Sequence, residues 1–215
     1  MNLEEIKSKI YSNKISMLPV PCMDNIKYCI DECIKNNIEG DYIECGIWRG
    51  GALLYAQKVF ESYNDYRPIW GADSFQGIMK PNPQKYPADT GDMHWADPQL
   101  SVSLEQVKNN FRLFGDIPNN VNFLEGWFKD TLSDSRIERI SILRADGDLY
   151  ESTIDILNNL YHKLSVGGFC IIDDFGHKGA KAAVMDFREK HGITDEIKIV
   201  HTQWTDVTAF WHKTK

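Results

Sequence analysis

Two short acidic clusters, Asp146-Gly147-Asp148 and Asp173-Asp174, each follow an apolar run, Ile140 to Ala145 and Phe169 to Ile172. Carboxylates crowded together repel one another unless a cation neutralises them. A hard divalent ion with oxygen ligands, such as Mg²⁺, suits a set of this kind. Such an ion would hold a substrate hydroxyl, lower its pKa and position it for attack. A carboxylate beside it would then accept the proton. Asp146, Asp148, Asp173 and Asp174 are therefore the candidate metal ligands and bases.

For the two clusters to meet, the intervening chain must cross over. Residues 152–164 have helical character, and Gly167-Gly168 is expected to close that helix. A strand, a crossover helix and a second parallel strand carry both clusters to one sheet edge. In open parallel sheets the carboxyl edge is where ligands bind. The remaining elements must build that sheet. Helices are expected over 3–12 and 23–36, the second with apolar residues at helical spacing and Asp24 near its start. Strands are expected at 41–46, 68–73, 121–125, 197–200 and 208–211. Further helices are expected from Gly51, over 103–113 and over 180–191. The last two strands have little sequence between them, so one should run antiparallel.

This alternation predicts an α/β fold with a doubly wound, mostly parallel sheet and an antiparallel edge strand. One domain over 1–215 is expected, with an N-terminal helical cap at about 1–38. The stretch 76–102 breaks the alternation and holds four prolines, two glycines, Tyr86, His94 and Trp95. A loop of that length inside a compact domain predicts a lid or binding loop. His94 there, and His177 just after the aspartate pair, are candidate bases or substrate contacts.

A cofactor face is expected beside the acidic clusters. Glu44, Gly46, Gly50 and Gly51 follow the first strand and open a helix, where glycines let backbone approach a ligand closely. The spacing is not the G-x-G-x-x-G of dinucleotide sites, which argues against hydride transfer. An acidic residue before the first glycine suits a cationic ligand, and S-adenosylmethionine, with its ammonium and sulfonium, is one. Asp73 ends the second strand, where a carboxylate can accept ribose hydroxyls. Glu125, Gly126 and Trp127 follow the third strand, and Trp127 would wall an adenine.

Bulk properties narrow the class. The chain has 215 residues, 42% of them apolar and 26% charged, with a formal net charge of −7. That length fits one domain with a full core. The acidic balance and scattered lysines exclude a phosphate-backbone binder. Cys22, Cys29, Cys33, Cys45 and Cys170 form no CxxC pair; Cys45 and Cys170 fall in expected buried strands, where a thiol behaves as a small hydrophobe, and packing is the expected role of Cys29 and Cys33. Met1 to Glu5 lack a basic region followed by an apolar core, and no stretch approaches the length of a membrane span. Neither signal peptide nor membrane span is expected, and a reduced cytoplasm is the expected location.

Five ordered segments resemble the macrocin O-methyltransferase family, which tailors antibiotic sugars. They are Glu44 to Gly51, Gly71 to Gly77, Gly126 to Leu132, Leu143 to Thr153 and Gly167 to Asp174. Lys85 to Asp89 and Leu18 to Asn25 are also similar, and the resemblance runs from about residue 17 to 211. It implies a class I methyltransferase fold of Rossmann-like type, S-adenosylmethionine as donor, and Mg²⁺-dependent methylation of a hydroxyl, often on a sugar. By position it implies Asp146, Asp173 and Asp174 as metal ligands and Asp146 or Asp148 as base. Glu44, Gly46, Gly50, Asp73, Ser74, Gly126 and Trp127 would form the cofactor site, and the resemblance also favours a homodimer. The chain departs from the family pattern at Phe175, at His177 to Lys181 and in the tail 200–211, places expected to line the acceptor side. A phenolic acceptor and a catalytically silent binding module are the rival readings.

Overall fold

The computed structural model describes residues 1–134, 136–202 and 208–215. Two helices, α1 (Leu3–Ser12) and α2 (Val20–Lys35), precede the first strand, β1 (Asp41–Cys45). The order continues α3 (Gly51–Ser62), β2 (Ile69–Asp73), α4 (Leu104–Arg112), β3 (Val121–Glu125) and the short α5 (Phe128–Thr131). It closes with β4 (Ile140–Ala145), α6 (Tyr150–Leu160), β5 (Leu164–Ile172), α7 (Lys178–Lys190), β6 (Lys198–Val200) and β7 (Thr208–His212). Residues between β2 and α4 form three short 3-10 turns, at Pro87–Asp89, His94–Ala96 and Pro98–Leu100.

The strands form one sheet in the order β3-β2-β1-β4-β5-β7-β6. β1 to β5 are parallel, and β7 runs antiparallel to both β5 and β6. Both faces are covered because alternate residues along each strand are apolar on both parities. Tyr42, Ile142 and Ile171 join the core beneath α1 to α4, whereas Ile43, Leu143 and Ile172 join the core beneath α6 and α7. The strand order reverses between β1 and β4, and that switch point opens a crevice at the carboxyl ends.

Three boundaries differ from expectation for identifiable reasons. α2 starts at Val20 rather than 23, because Pro21 lies in the first turn, where its missing N–H goes unneeded. Asp24 is thus inside the helix, and it ion-pairs with Lys7 of α1 at 2.7 Å. Gly167 and Gly168 do not end a helix. They lie within β5, where the register against β4 shifts between Ile140 and Ile142. Gly167 has φ +90°, and a Cβ on Gly168 would press on the Ser141 carbonyl oxygen. Glycine serves here as the bulge residue of a strand. α6 accordingly runs from Tyr150 to Leu160 and ends in a 3-10 turn at Tyr161–Lys163.

All five cysteines are buried free thiols, as expected for Cys29, Cys33, Cys45 and Cys170. Among the described residues no helix is long and apolar enough to cross a membrane.

Candidate active site

The site grows from the ends of β1, β4 and β5. β1 and β4 pair in register, with Glu44 opposite Arg144. By strand parity Glu44, Arg144 and Asp173 project to the same side of the sheet as Tyr42, Ile142 and Ile171. The Arg144 guanidinium, fully buried, ion-pairs with Asp173 at 2.9 Å, Asp146 at 3.0 Å and Glu44 at 3.3 Å. Burial works against its charge, but the three carboxylates outweigh that and hold it protonated. Tyr42 Oη donates to the other Glu44 oxygen at 3.1 Å. Even so, burial pushes the Glu44 carboxyl up to about 7.

Just above this layer, one carboxylate oxygen each from Asp146, Asp148 and Asp174 lies within 4.8 Å of the others. Asp148 adopts φ +57°, an uncommon backbone conformation that turns its amide toward Asp174 Oδ2 at 2.9 Å. Burial, then repulsion by Asp174 and Asp173, raises the Asp146 carboxyl well above the usual range. Burial, then Asp148 and Asp173, does the same to Asp174. Asp173 is not in this group. Its side chain faces Arg144 and accepts from Thr208 Oγ1 of β7 at 3.0 Å.

The glycine turn after β1 is shaped by close approach to β4. Gly46 has φ +88°, and a Cβ there would collide with the Asp146 carbonyl oxygen. Gly46→Ala is therefore expected to force β1 and β4 apart at their ends, with a cost of about 1–3 kcal/mol for the strained backbone. Thermal melting would show the destabilisation, and unaltered melting would show that the approach is not tight. Asp73 organises the same turn. Its Oδ2 accepts from the amides of Ile47 and Trp48, and its Oδ1 from that of Phe75. Burial raises the Asp73 carboxyl while these N–H groups oppose the shift. Ser74 Oγ donates to the Gly77 carbonyl and so shapes the start of the 76–102 segment.

A cavity of about 560 Å³ joins these groups. Glu44, Gly46, Asp73, Ser74 and Trp127 line it together with Asp146, Asp148, Asp173 and Asp174. Gly50 and Gly126 do not. Gly50 is the left-handed N-cap of α3, and the Gly126 amide donates to the Asp73 carbonyl. Residues 15–19 from the α1–α2 connection form one wall, and Ile78, Met79, His94, Asp97 and Leu100 of the 76–102 segment form another. Counting Asp97 and Asp155, eight carboxylates among the described residues face the cavity against one guanidinium, Arg144. Such a wall repels a pyrophosphate.

This architecture has close counterparts among known proteins. A sequence model of the macrocin-O-methyltransferase (TylF) family matches residues 11–213. The chain belongs to the macrocin-O-methyltransferase family. It is 38% identical over 192 residues to mycinamicin III 3''-O-methyltransferase of Micromonospora griseorubida, covering 87% of this chain and 76% of that one. It is 39% identical over 207 residues to demethyldecarbamoylnovobiocin O-methyltransferase of Streptomyces niveus, covering 95% and 78%. The solved structure of the O-methyltransferase NovP superposes with a TM-score of 0.87 at 39% identity, covering 93% of this chain and 82% of that one. The fold is that of a class I methyltransferase, and this member of the macrocin-O-methyltransferase family is a methyltransferase.

Two residues important to the site escaped the sequence reading. Arg144 sits in an otherwise apolar buried strand, and a lone arginine in such a run was the available signal. Asp89 is buried, its Oδ1 accepts from the Tyr150 amide at 2.7 Å, and Tyr86 stacks on Tyr150. These contacts pin the 76–102 segment to the start of α6. Of the family departures, His177 lines the cavity, whereas Phe175 is buried in the core with Lys181 Nζ 5.4 Å from its ring centroid. Phe175 therefore does not face an acceptor. In the tail, residues 203–207 lie outside the described residues.

Proposed function

We propose that the protein transfers a methyl group from S-adenosylmethionine to a hydroxyl of a sugar or glycosylated small natural product, aided by a divalent ion. The observation that carries this reading is the convergence of Asp146, Asp148 and Asp174 at the switch point, in a cavity that Glu44, Asp73 and Trp127 also line. The sugar acceptor is inferred from a relative in Streptomyces olivaceus, 38% identical over 201 residues, whose name specifies a rhamnosyl tetracenomycin methylated at the 4' oxygen.

The donor set fits a hard ion. All three ligands are carboxylate oxygens, and the raised Asp146 and Asp174 carboxyls mark a place where positive charge is wanted. Asp146, Asp148 and Asp174 would hold Mg²⁺, with Asp173 adding negative charge from beside Arg144. When bound, the ion polarises the acceptor hydroxyl and lowers its pKa.

The chain's own residues supply the rest. Glu44 and the acidic wall attract the donor's ammonium and sulfonium. Asp73 Oδ1, which accepts from one amide where Oδ2 accepts from two, would take a ribose hydroxyl, and Trp127 would offer an apolar plane for adenine. Asp148 takes the acceptor proton, because the Asp146 carboxylate is engaged by Arg144 at 3.0 Å. The 76–102 segment forms the lid that excludes water during transfer.

S-adenosylhomocysteine should raise the melting temperature, because a ligand of the native state stabilises it. NAD should not. Asp148→Asn is expected to lower kcat about 10²–10⁴-fold, as loss of a general base does, while the shift with S-adenosylhomocysteine persists. Absence of any shift with S-adenosylmethionine or S-adenosylhomocysteine, with and without Mg²⁺, would favour a silent module.

A further inference from the structure

A second set of metal-type donors meets at the edge of the cavity. His94 comes from the 76–102 segment, Asp148 from the turn after β4, and His177 from the N-cap of α7. Their donor atoms lie within 4.8 Å of one another. The two imidazoles are nearly parallel, 7° apart in plane with centroids at 5.2 Å. His94 Nδ1 lies 3.0 Å from Asp92 Oδ2. A carboxylate on one ring nitrogen fixes the tautomer and leaves the lone pair on the other, the support usually found behind metal-bound histidines.

His177 Nδ1 stands 3.8 Å from Asp148 Oδ1 and 3.9 Å from Asp174 Oδ1, beyond hydrogen-bond reach. Two donors on a tetrahedral zinc, each at its usual bond length, stand roughly 3.4 Å apart. The observed spacing needs only a small closure to match. His177 is held in place by its own amide, which donates to the Asp174 carbonyl at 2.8 Å.

We propose that His94, Asp148 and His177 form a site for a borderline divalent ion such as Zn²⁺ or Co²⁺, separate from the all-carboxylate position. Imidazole nitrogen suits such ions, whereas Mg²⁺ prefers oxygen and its own waters. His94 is the one donor of the three carried by the 76–102 segment, so the ion fastens that segment to the catalytic edge. Asp148 has two oxygens and belongs to both groups, which links the two positions through one carboxylate. A fourth tetrahedral place is left for water or a ligand atom.

The test is Co²⁺ titration at pH 7.5 into the full chain with Mg²⁺ saturating, followed by visible absorption. One Co²⁺ per chain with intense four-coordinate bands is expected. His94→Gln and His177→Gln should each weaken binding at least about tenfold, as should Asp92→Asn through loss of the supporting carboxylate. Asp174→Asn, which damages the all-carboxylate position, should leave the Co²⁺ bands in place. Co²⁺ should also slow amide exchange over residues 90–97 in the wild type and not in His94→Gln. His94 is exposed and Asp92 hydrogen-bonds to His94 of the same turn, so these two variants keep the fold and metal-free melts verify it. Bands that survive both histidine changes, or one-for-one displacement of Co²⁺ by Mg²⁺, would place the ion among the carboxylates and overturn the proposal. Absence of any band in the wild type would overturn it too. Binding of S-adenosylhomocysteine is read separately, so failure of the methyltransferase reading would not be mistaken for failure of this site.

Discussion

Asp174→Asn is expected to make the metal-free protein more stable and to abolish Mg²⁺-dependent turnover. The carboxyls of Asp146 and Asp174 are raised in the folded state, first by burial and then by neighbouring carboxylates. An acid whose folded pKa exceeds its unfolded value binds protons more tightly when folded. Its ionisation therefore costs stability as pH rises from about 4, the ordinary aspartate value, through the raised folded value. Asparagine removes one charge from the group, and its Oδ1 can still accept from the Asp148 amide. A gain of about 0.5–2 kcal/mol is typical when a functional strain of this kind is removed. For a domain of this size that corresponds to roughly 2–4 °C per kcal/mol. These two groups should also make the metal-free wild type melt higher as pH falls from 8 toward 5, and Mg²⁺ should flatten that trend. Calorimetry across pH with and without Mg²⁺ checks both. A mutant that melts lower than wild type at pH 8 would show that Asp174 is not under electrostatic strain.

Arg144→Met is expected to be the most destabilising single change at the site. The guanidinium is fully buried between Glu44, Asp146 and Asp173. Removing one partner of a buried ionic group leaves uncompensated charge, at a cost of about 3–5 kcal/mol. Melting should fall by roughly 10 °C on the scaling for domains of this length. At alkaline pH, where Glu44 is forced to ionise, Glu44→Gln in the same chain should recover part of the loss, because it removes one of the stranded charges and the two residues are in contact. Denaturant or thermal melts of the single and double variants measure the coupling. Strictly additive effects would mean that Arg144 and Glu44 do not stabilise one another.

Much of the architecture was legible in the sequence because it rests on local patterns. Apolar runs ending in glycine or aspartate mark the strand ends, and helical spacing between them marks the crossovers. Where local reading missed, a non-local contact decided. Gly167 and Gly168 look like a helix stop, but their role is set by the Ser141 carbonyl on the neighbouring strand. Asp89 looks like one more polar residue of a loop, yet it is buried against the Tyr150 amide, 61 residues away.

The acidic clusters show the same division. The sequence by itself determined that four aspartates arrive at one sheet edge, since each cluster directly follows a strand and a single crossover separates them. Only the tertiary structure decided which of them face one another. Asp173 continues the parity of Ile171 and meets Arg144, while Asp174 enters the turn and joins Asp146 and Asp148. That sorting depends on the register between β4 and β5, which the bulge at Gly167 and Gly168 sets, and on a left-handed residue at Asp148. A register shift of one residue sends a side chain to the other face. Composition and spacing within one strand carry no record of the register adopted against its neighbour.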